Sequence, residues 1–168
     1  RIIDDAERHL MELPHYLQAF ADPAIRDPLP KLGETATAIF DAKDYGKTGA
    51  HPPETVEKLL AMGDEITRGP KWHEALGSFN GAERNQVLDL LGFKKQVIFS
   101  SFCSRLIFDD PDLDIRYGAA AAQNRSMVEF VKHDKRMIGV GMVPLDNPDR
   151  ALEQIKQVLE MGLGAVWI

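Results

Sequence analysis

Residues 137–168 read MIGVGMVPLDNPDRALEQIKQVLEMGLGAVWI. Met137 to Val143 is an apolar run broken only by glycines, and Pro144 stops it, which predicts a buried strand. Asn147-Pro148 supplies an N-cap side chain and a first-turn proline. Ala151, Leu152, Ile155, Val158 and Leu159 then recur at helical spacing along one face, and Gly162 closes the helix. Gly164 to Ile168 is apolar again and predicts the next strand. Strand, helix, strand with short joints implies a crossover connection and parallel pairing, because antiparallel strands need no helix between them.

The same alternation extends upstream. A long helix is predicted from about Asp114 to His133, with Ala120, Asn124, Met127, Val128 and Val131 sharing a face. Asn124 therefore carries an amide into an apolar stripe and is expected to bond to the backbone of a neighbouring strand or loop. Before it, Val97-Ile98-Phe99 predicts a strand, and Val87, Leu88, Leu90 and Leu91 predict a helix that Gly92 terminates. The opening Arg1 to Ala6 predicts a first strand. Between about 22 and 80 the pattern loosens under prolines such as Pro23, Pro28 and Pro30 and glycines such as Gly33, Gly46, Gly69 and Gly77. That stretch reads as an irregular insertion holding one short helix, which starts at Pro52-Pro53 and ends at Gly63.

Two parallel α/β architectures compete. A dinucleotide fold wants G-x-G-x-x-G directly after a strand, whereas Gly139-Val140-Gly141 lies inside one and lacks the third glycine. A closed (β/α)8 barrel takes roughly 250 residues. The 168 residues are therefore predicted to form the first half of a (β/α)8 TIM-type barrel, one domain over 1–168 with the insertion after its first strand. The chain has no initiator Met and stops inside an apolar run, so the expectation is the N-terminal portion of a longer enzyme.

Composition narrows the partners. With 26 Asp and Glu against 20 Lys and Arg the net charge is −6, which argues against a nucleic-acid or anionic-membrane partner, since either favours a basic face. Cys103 is the only cysteine, so no intrachain disulfide or Cys-rich zinc cluster can form, and a reducing, cytoplasmic setting is expected. No apolar run approaches the roughly 18 residues needed to span a bilayer, so no membrane insertion is expected.

The sharpest chemical pattern is Asp5-Ala6-Glu7-Arg8-His9. In an extended chain alternate residues face one side, so Asp5, Glu7 and His9 are expected to project together. A carboxylate and an imidazole so placed can grip one cation at roughly 2.0–2.2 Å, with Asp5 orienting the imidazole. The bland alternative is a set of solvated or helix-capping residues after a strand, and two local ligands fall short of the three that catalytic zinc normally takes. Phe102 and Arg105 follow the second strand and are the candidates for contact with a substrate, Arg105 through its bidentate fork. An ion pair from Arg105 to Asp109 or Asp110 is the favoured alternative. Cys103 reads as a small buried apolar residue rather than a nucleophile. His133 reads as a cation at a helix C-terminus. His15, His51 and His73 carry little functional weight, and Trp72 and Trp167 read as core or interface residues.

The opening Asp5-x-Glu7-x-His9, followed by Leu10-Met11-Glu12-Leu13-Pro14, resembles the first-strand motif of the amidohydrolase superfamily. The branch it resembles is that of the metal-dependent hydrolases and decarboxylases related to aminocarboxymuconate semialdehyde decarboxylase. Asn124-Arg125, the stretch Lys135 to Leu145 and the run Met161 to Val166 resemble that branch in order and spacing. The resemblance implies a (β/α)8 barrel with a divalent metal at the strand ends, zinc first and manganese or magnesium as alternatives. It implies Glu7 and His9 as metal ligands, Glu7 standing where many relatives carry a second His. It also implies that the remaining ligands and the proton-transferring aspartate belong to later strands, so that the segment alone is inactive. The expected activity is hydrolysis of a small carboxylate or amide through metal-activated water. Metal-dependent decarboxylation of an aromatic or enoic acid is the alternative, and a non-catalytic interaction module built on a barrel fragment is the second. An open half-barrel exposes strand edges, so a homo-oligomer is expected.

Overall fold

A computed structural model describes residues 3–30, 32 and 49–168, with the side chains of residues 3, 5, 6, 7 and 73 outside that description. The expectations that rest on Arg1, Ile2, Gly33, Gly46 and the side chains of Asp5, Glu7 and His73 therefore lie outside the described residues.

In chain order the elements are β1 (Ile3–Leu10), α1 (Tyr16–Phe20), α2 (Pro23–Arg26), α3 (Pro53–Leu60), short 3-10 helices over Gly63–Thr67 and Trp72–Glu74, α4 (Gly81–Leu91), β2 (Phe93–Ser100), α5 (Ser104–Asp109), α6 (Leu113–Val131), β3 (Met137–Met142), α7 (Pro148–Glu160) and β4 (Ala165–Trp167). The four strands lie side by side in the order β1-β2-β3-β4, and every neighbouring pair is parallel. The fold is α/β, and helices separate each strand from the next, as parallel pairing of consecutive strands requires.

Local chemistry sets the boundaries. The Asn147 side chain accepts from Asp149 N and Arg150 N, both at 3.1 Å, and so caps α7 as its sequence implies. Asn80 caps α4 and Asp112 caps α6 in the same way. Gly92 ends α4 with φ 70°, a left-handed conformation that a side chain would strain. Two expectations need correction. Among the described residues the first strand continues past Ala6 to Leu10, because β2 pairs with it as far as Leu10 opposite Ser100, and ladder bonds are indifferent to polar side chains. Helix α6 ends at Val131, so His133 lies beyond it and the last-turn role assigned to that histidine does not hold.

One face of the sheet is covered by α4, α6 and α7. Leu10, Ile98, Met137 and Val143 pack there against Leu88, Met127, Phe130, Ala151 and Val158. The glycines of β3 permit this approach: a Cβ on Gly139 would stand 2.7 Å from Met127 Cγ, and one on Gly141 would stand 2.8 Å from Val158 Cγ1. Toward the C-terminal ends of the strands, Met142 and Trp167 pack with Leu17 of α1, Ile107 of α5, and Ile115, Ala119 and Ala120 of α6. Asn124 is fully buried between α6 and β3. Its Nδ2 donates to Met142 O at 3.0 Å and its Oδ1 accepts from Met142 N at 2.7 Å, the strand-backbone role its register predicts. Among the described residues no helix is long and apolar enough to cross a membrane.

Candidate functional site

The motif Asp5 to His9 lies inside β1, and its pairing bears on how its side chains are arranged. Asp5 stands opposite Gln96 and Arg8 opposite Ile98, so β1 advances three residues while β2 advances two. Such a bulge interrupts strict alternation, so spacing alone does not place 5, 7 and 9 on one side as the sequence reading assumed. The side chains of Asp5 and Glu7 are outside the described residues. Beyond the bulge the register is regular, with His9 opposite Phe99 and Leu10 opposite Ser100.

His9 is exposed, one residue before the end of β1, with its ring 5.8 Å from that of Phe99. Its Nδ1 is 2.9 Å from the carbonyl oxygen of Ser100. A carbonyl can only accept, so Nδ1 carries a proton and donates, and in the neutral ring that tautomer has its lone pair on Nε2. Histidine ligands of metals are held in this way, through the nitrogen that does not touch the ion. Among the described residues no group of three or more His, Cys, Asp or Glu side chains is gathered closely enough to hold a metal ion.

The loop that follows β1 supplies a residue the sequence reading passed over. Glu12 is fully buried at the C-terminal ends of β1 and β2. Its carboxylate accepts from Ser101 N at 3.0 and 3.2 Å, from Phe102 N at 2.9 Å, and from the Ser100 hydroxyl. Burial pushes the Glu12 carboxyl above its ordinary range against the opposing pull of those donors. It also pushes the Cys103 thiol and the Tyr16 phenol up, with the Glu12 charge adding to both. Cys103 is thus a buried thiol held protonated, as a core residue would be. The signal for Glu12 was its setting: an acid with apolar residues on both sides in Leu10-Met11-Glu12-Leu13.

A cavity of about 700 Å³ opens beside β1, between it, α4 and the segment that carries the two 3-10 helices. His9 and Phe102 both line it, together with Arg8, Lys71 and Trp72, and no Asp or Glu is among its described lining residues. The structure therefore brings together the proposed metal ligand His9 and the proposed substrate contact Phe102, which is half-buried. Arg105 is exposed on α5 and does not line this cavity. Trp72 is 65% exposed rather than in the core, and it adopts φ 57°, a strained backbone for a bulky residue, with its carbonyl accepting from the Ser78 hydroxyl at 2.6 Å. Trp167 is half-buried against Phe99 and Phe108.

Two further charged residues brace the insertion against the sheet. Glu83 of α4 accepts from His51 N at 2.5 Å, from His51 Nδ1 at 2.8 Å and from Gly77 N at 3.2 Å, all buried. Arg84 donates from Nε to Gly77 O at 2.8 Å, from one terminal nitrogen to Gln96 Oε1 at 3.1 Å and from the other to His9 O at 3.0 Å. His51 is thus a structural residue. No protein-family model matches the chain, and no curated protein matches it significantly.

Proposed function

We propose that the chain forms the metal-binding side of a metal-dependent hydrolase of the amidohydrolase type, acting on a small carboxylate or amide substrate. Glu7 and His9 are its proposed metal ligands and zinc its proposed metal. The observation that carries this reading is the hydrogen bond from His9 Nδ1 to the Ser100 carbonyl, which prepares Nε2 as a ligand atom at the C-terminal end of a parallel strand. In barrels of alternating strands and helices that end holds the active site. Four parallel strands in chain order, each joined to the next through helices, are compatible with half of such a barrel, and the reading places the further ligands on strands outside these four. Three protein ligands are the rule for catalytic zinc, so this pair alone holds a cation weakly.

When bound, such a cation lowers the pKa of water to about 7 and so supplies a nucleophile at neutral pH. The residues of this chain bind and orient. His9 offers Nε2, the Ser100 carbonyl holds its ring, and Phe102 gives the cavity an apolar wall beside it. Lys71 adds positive charge to the lining, which favours the anionic group of a small carboxylate.

Zinc titration of the 168-residue chain by calorimetry, repeated with His9→Ala, tests the assignment. The expected result is weak one-site binding that the substitution abolishes. Equal binding by both proteins would refute it.

A further inference from the structure

We infer that Glu12 is a positioning residue, which fixes the tautomer of His9 by fixing the peptide plane between Ser100 and Ser101. The link to catalysis rests on the reading of His9 as a metal ligand; the link between Glu12 and the tautomer does not.

One peptide bond links Glu12 to His9. The carbonyl of Ser100 and the N–H of Ser101 belong to a single planar trans unit and point in opposite directions. On one side the Ser101 N–H is 3.0 and 3.2 Å from the two carboxylate oxygens of Glu12. On the other side the Ser100 carbonyl is 2.9 Å from His9 Nδ1. Whatever holds the N–H on Glu12 therefore also aims the carbonyl at the imidazole.

The hold is strong because the backbone has no ladder partner here. Pairing of β1 with β2 ends at Leu10 and Ser100, so the amides of Ser101 and Phe102 lie past the last rung. Buried or half-buried amides in that position need an acceptor, and Glu12 serves both, with Phe102 N at 2.9 Å. The Ser100 hydroxyl adds a third contact to the same carboxylate, and the Ser101 hydroxyl ties the turn to Leu10 O at 2.7 Å. Hydrogen bonds from amides and hydroxyls to an ionised carboxylate are stronger than those between neutral groups.

Removal of this acceptor would let the Ser100–Ser101 peptide rotate. A rotated plane presents an N–H to the ring, which His9 can meet only by accepting at Nδ1. The proton then moves to Nε2, and the nitrogen proposed to face the cation loses its lone pair.

The test is side-chain nitrogen NMR of His9 in the zinc-free chain, wild type against Glu12→Leu, which keeps bulk but removes the acceptor. The expected result is a wild-type ring protonated at Nδ1, and a shift of the Nε2 resonance toward the protonated position in Glu12→Leu. Glu12→Gln keeps one carbonyl oxygen for the two amides and is expected to restore the wild-type tautomer. Ser100→Ala removes only the hydroxyl contact and is expected to leave it unchanged. These differences separate positioning from mere loss of stability. A folded Glu12→Leu with the wild-type tautomer would overturn the inference.

If Glu12→Leu does not fold, couplings across the hydrogen bonds from the Ser101 and Phe102 amides to the Glu12 carboxylate carry the test in the wild type. Their detection upholds the inference, and their absence overturns it. Zinc added to the wild-type chain is read at His9 Nε2. No response there sinks the metal reading alone, whereas a response that weakens about tenfold or more in Glu12→Leu supports both.

Discussion

Substitution of Asn124 by Ala removes both partners of Met142 at once, and the size of the loss follows from the geometry. Asn124 Nδ2 donates to Met142 O at 3.0 Å and Asn124 Oδ1 accepts from Met142 N at 2.7 Å, with both residues fully buried. A buried backbone group left without a partner costs about 1–3 kcal/mol, so two such groups cost about 2–6 kcal/mol before relaxation. Water entering the vacated space lowers the net figure to about 3 kcal/mol. For a chain of this length each kcal/mol shifts the melting temperature by roughly 2–4 °C, so the expected drop is about 6–12 °C. Urea unfolding followed by circular dichroism measures the free energy, and a melting scan measures the temperature. Asn124→Asp keeps the acceptor for Met142 N but sets a carboxylate oxygen against Met142 O, and is expected to be at least as damaging. A loss under about 1 kcal/mol for Asn124→Ala would show that the two bonds from Asn124 do not hold the Met142 backbone in place.

Other predictions follow from the same contacts. Gly141→Ala places a methyl 2.8 and 2.9 Å from the two Val158 Cγ atoms, and is expected to cost about 1–3 kcal/mol in urea unfolding; an unchanged midpoint would contradict the close packing of α7 on β3. Burial holds the Glu12 carboxyl above its ordinary value of about 4.5, so between the unfolded and folded values the native state keeps a proton that the unfolded chain releases. The stability Glu12 contributes is therefore full below that interval and falls as pH rises through it, and Glu12→Gln is expected to flatten this slope in melting temperature against pH. Cys103 is buried with its thiol held protonated, so iodoacetamide is expected to label it only as fast as the chain unfolds; rapid labelling of the native protein would contradict its burial.

The alternation of strands and helices from Gly81 onward was legible because its punctuation is local. Asn147 before Pro148 caps α7 through contacts within three residues, and Gly92 stops α4 by its own backbone conformation. Asn124 was legible for a related reason: a polar amide on an apolar helical stripe has few ways to be satisfied. The limits of β1 were not legible, since a run with Asp, Glu, Arg and His extends to Leu10 through pairing with a strand about ninety residues away. The bulge between Asp5 and Arg8 is likewise a property of two strands together, and no reading of one strand contains it. Glu12 was passed over because its partners, Ser100 to Phe102, are distant in sequence, and only the apolar neighbours on both sides hinted at burial. For Trp72 the sequence left core and interface open, and the structure removes the core, placing the ring on an exposed cavity wall.

Of the residues singled out for chemistry, His9 and Phe102 share the cavity beside β1, while Arg105 lies on a solvent-exposed face of α5. Among the described residues the lining of that cavity includes Lys71 and no Asp or Glu, whereas the chain as a whole is acidic. That contrast, with the His9 imidazole at the rim, supports the proposal of a small anionic substrate at this end of the sheet.

The most direct measurement is a crystal structure of the zinc-soaked chain with the metal located from its anomalous scattering. The account predicts zinc at roughly 2.0–2.2 Å from His9 Nε2 and from a carboxylate oxygen of Glu7. Zinc bound elsewhere, with His9 Nε2 and Glu7 uncoordinated, would contradict it.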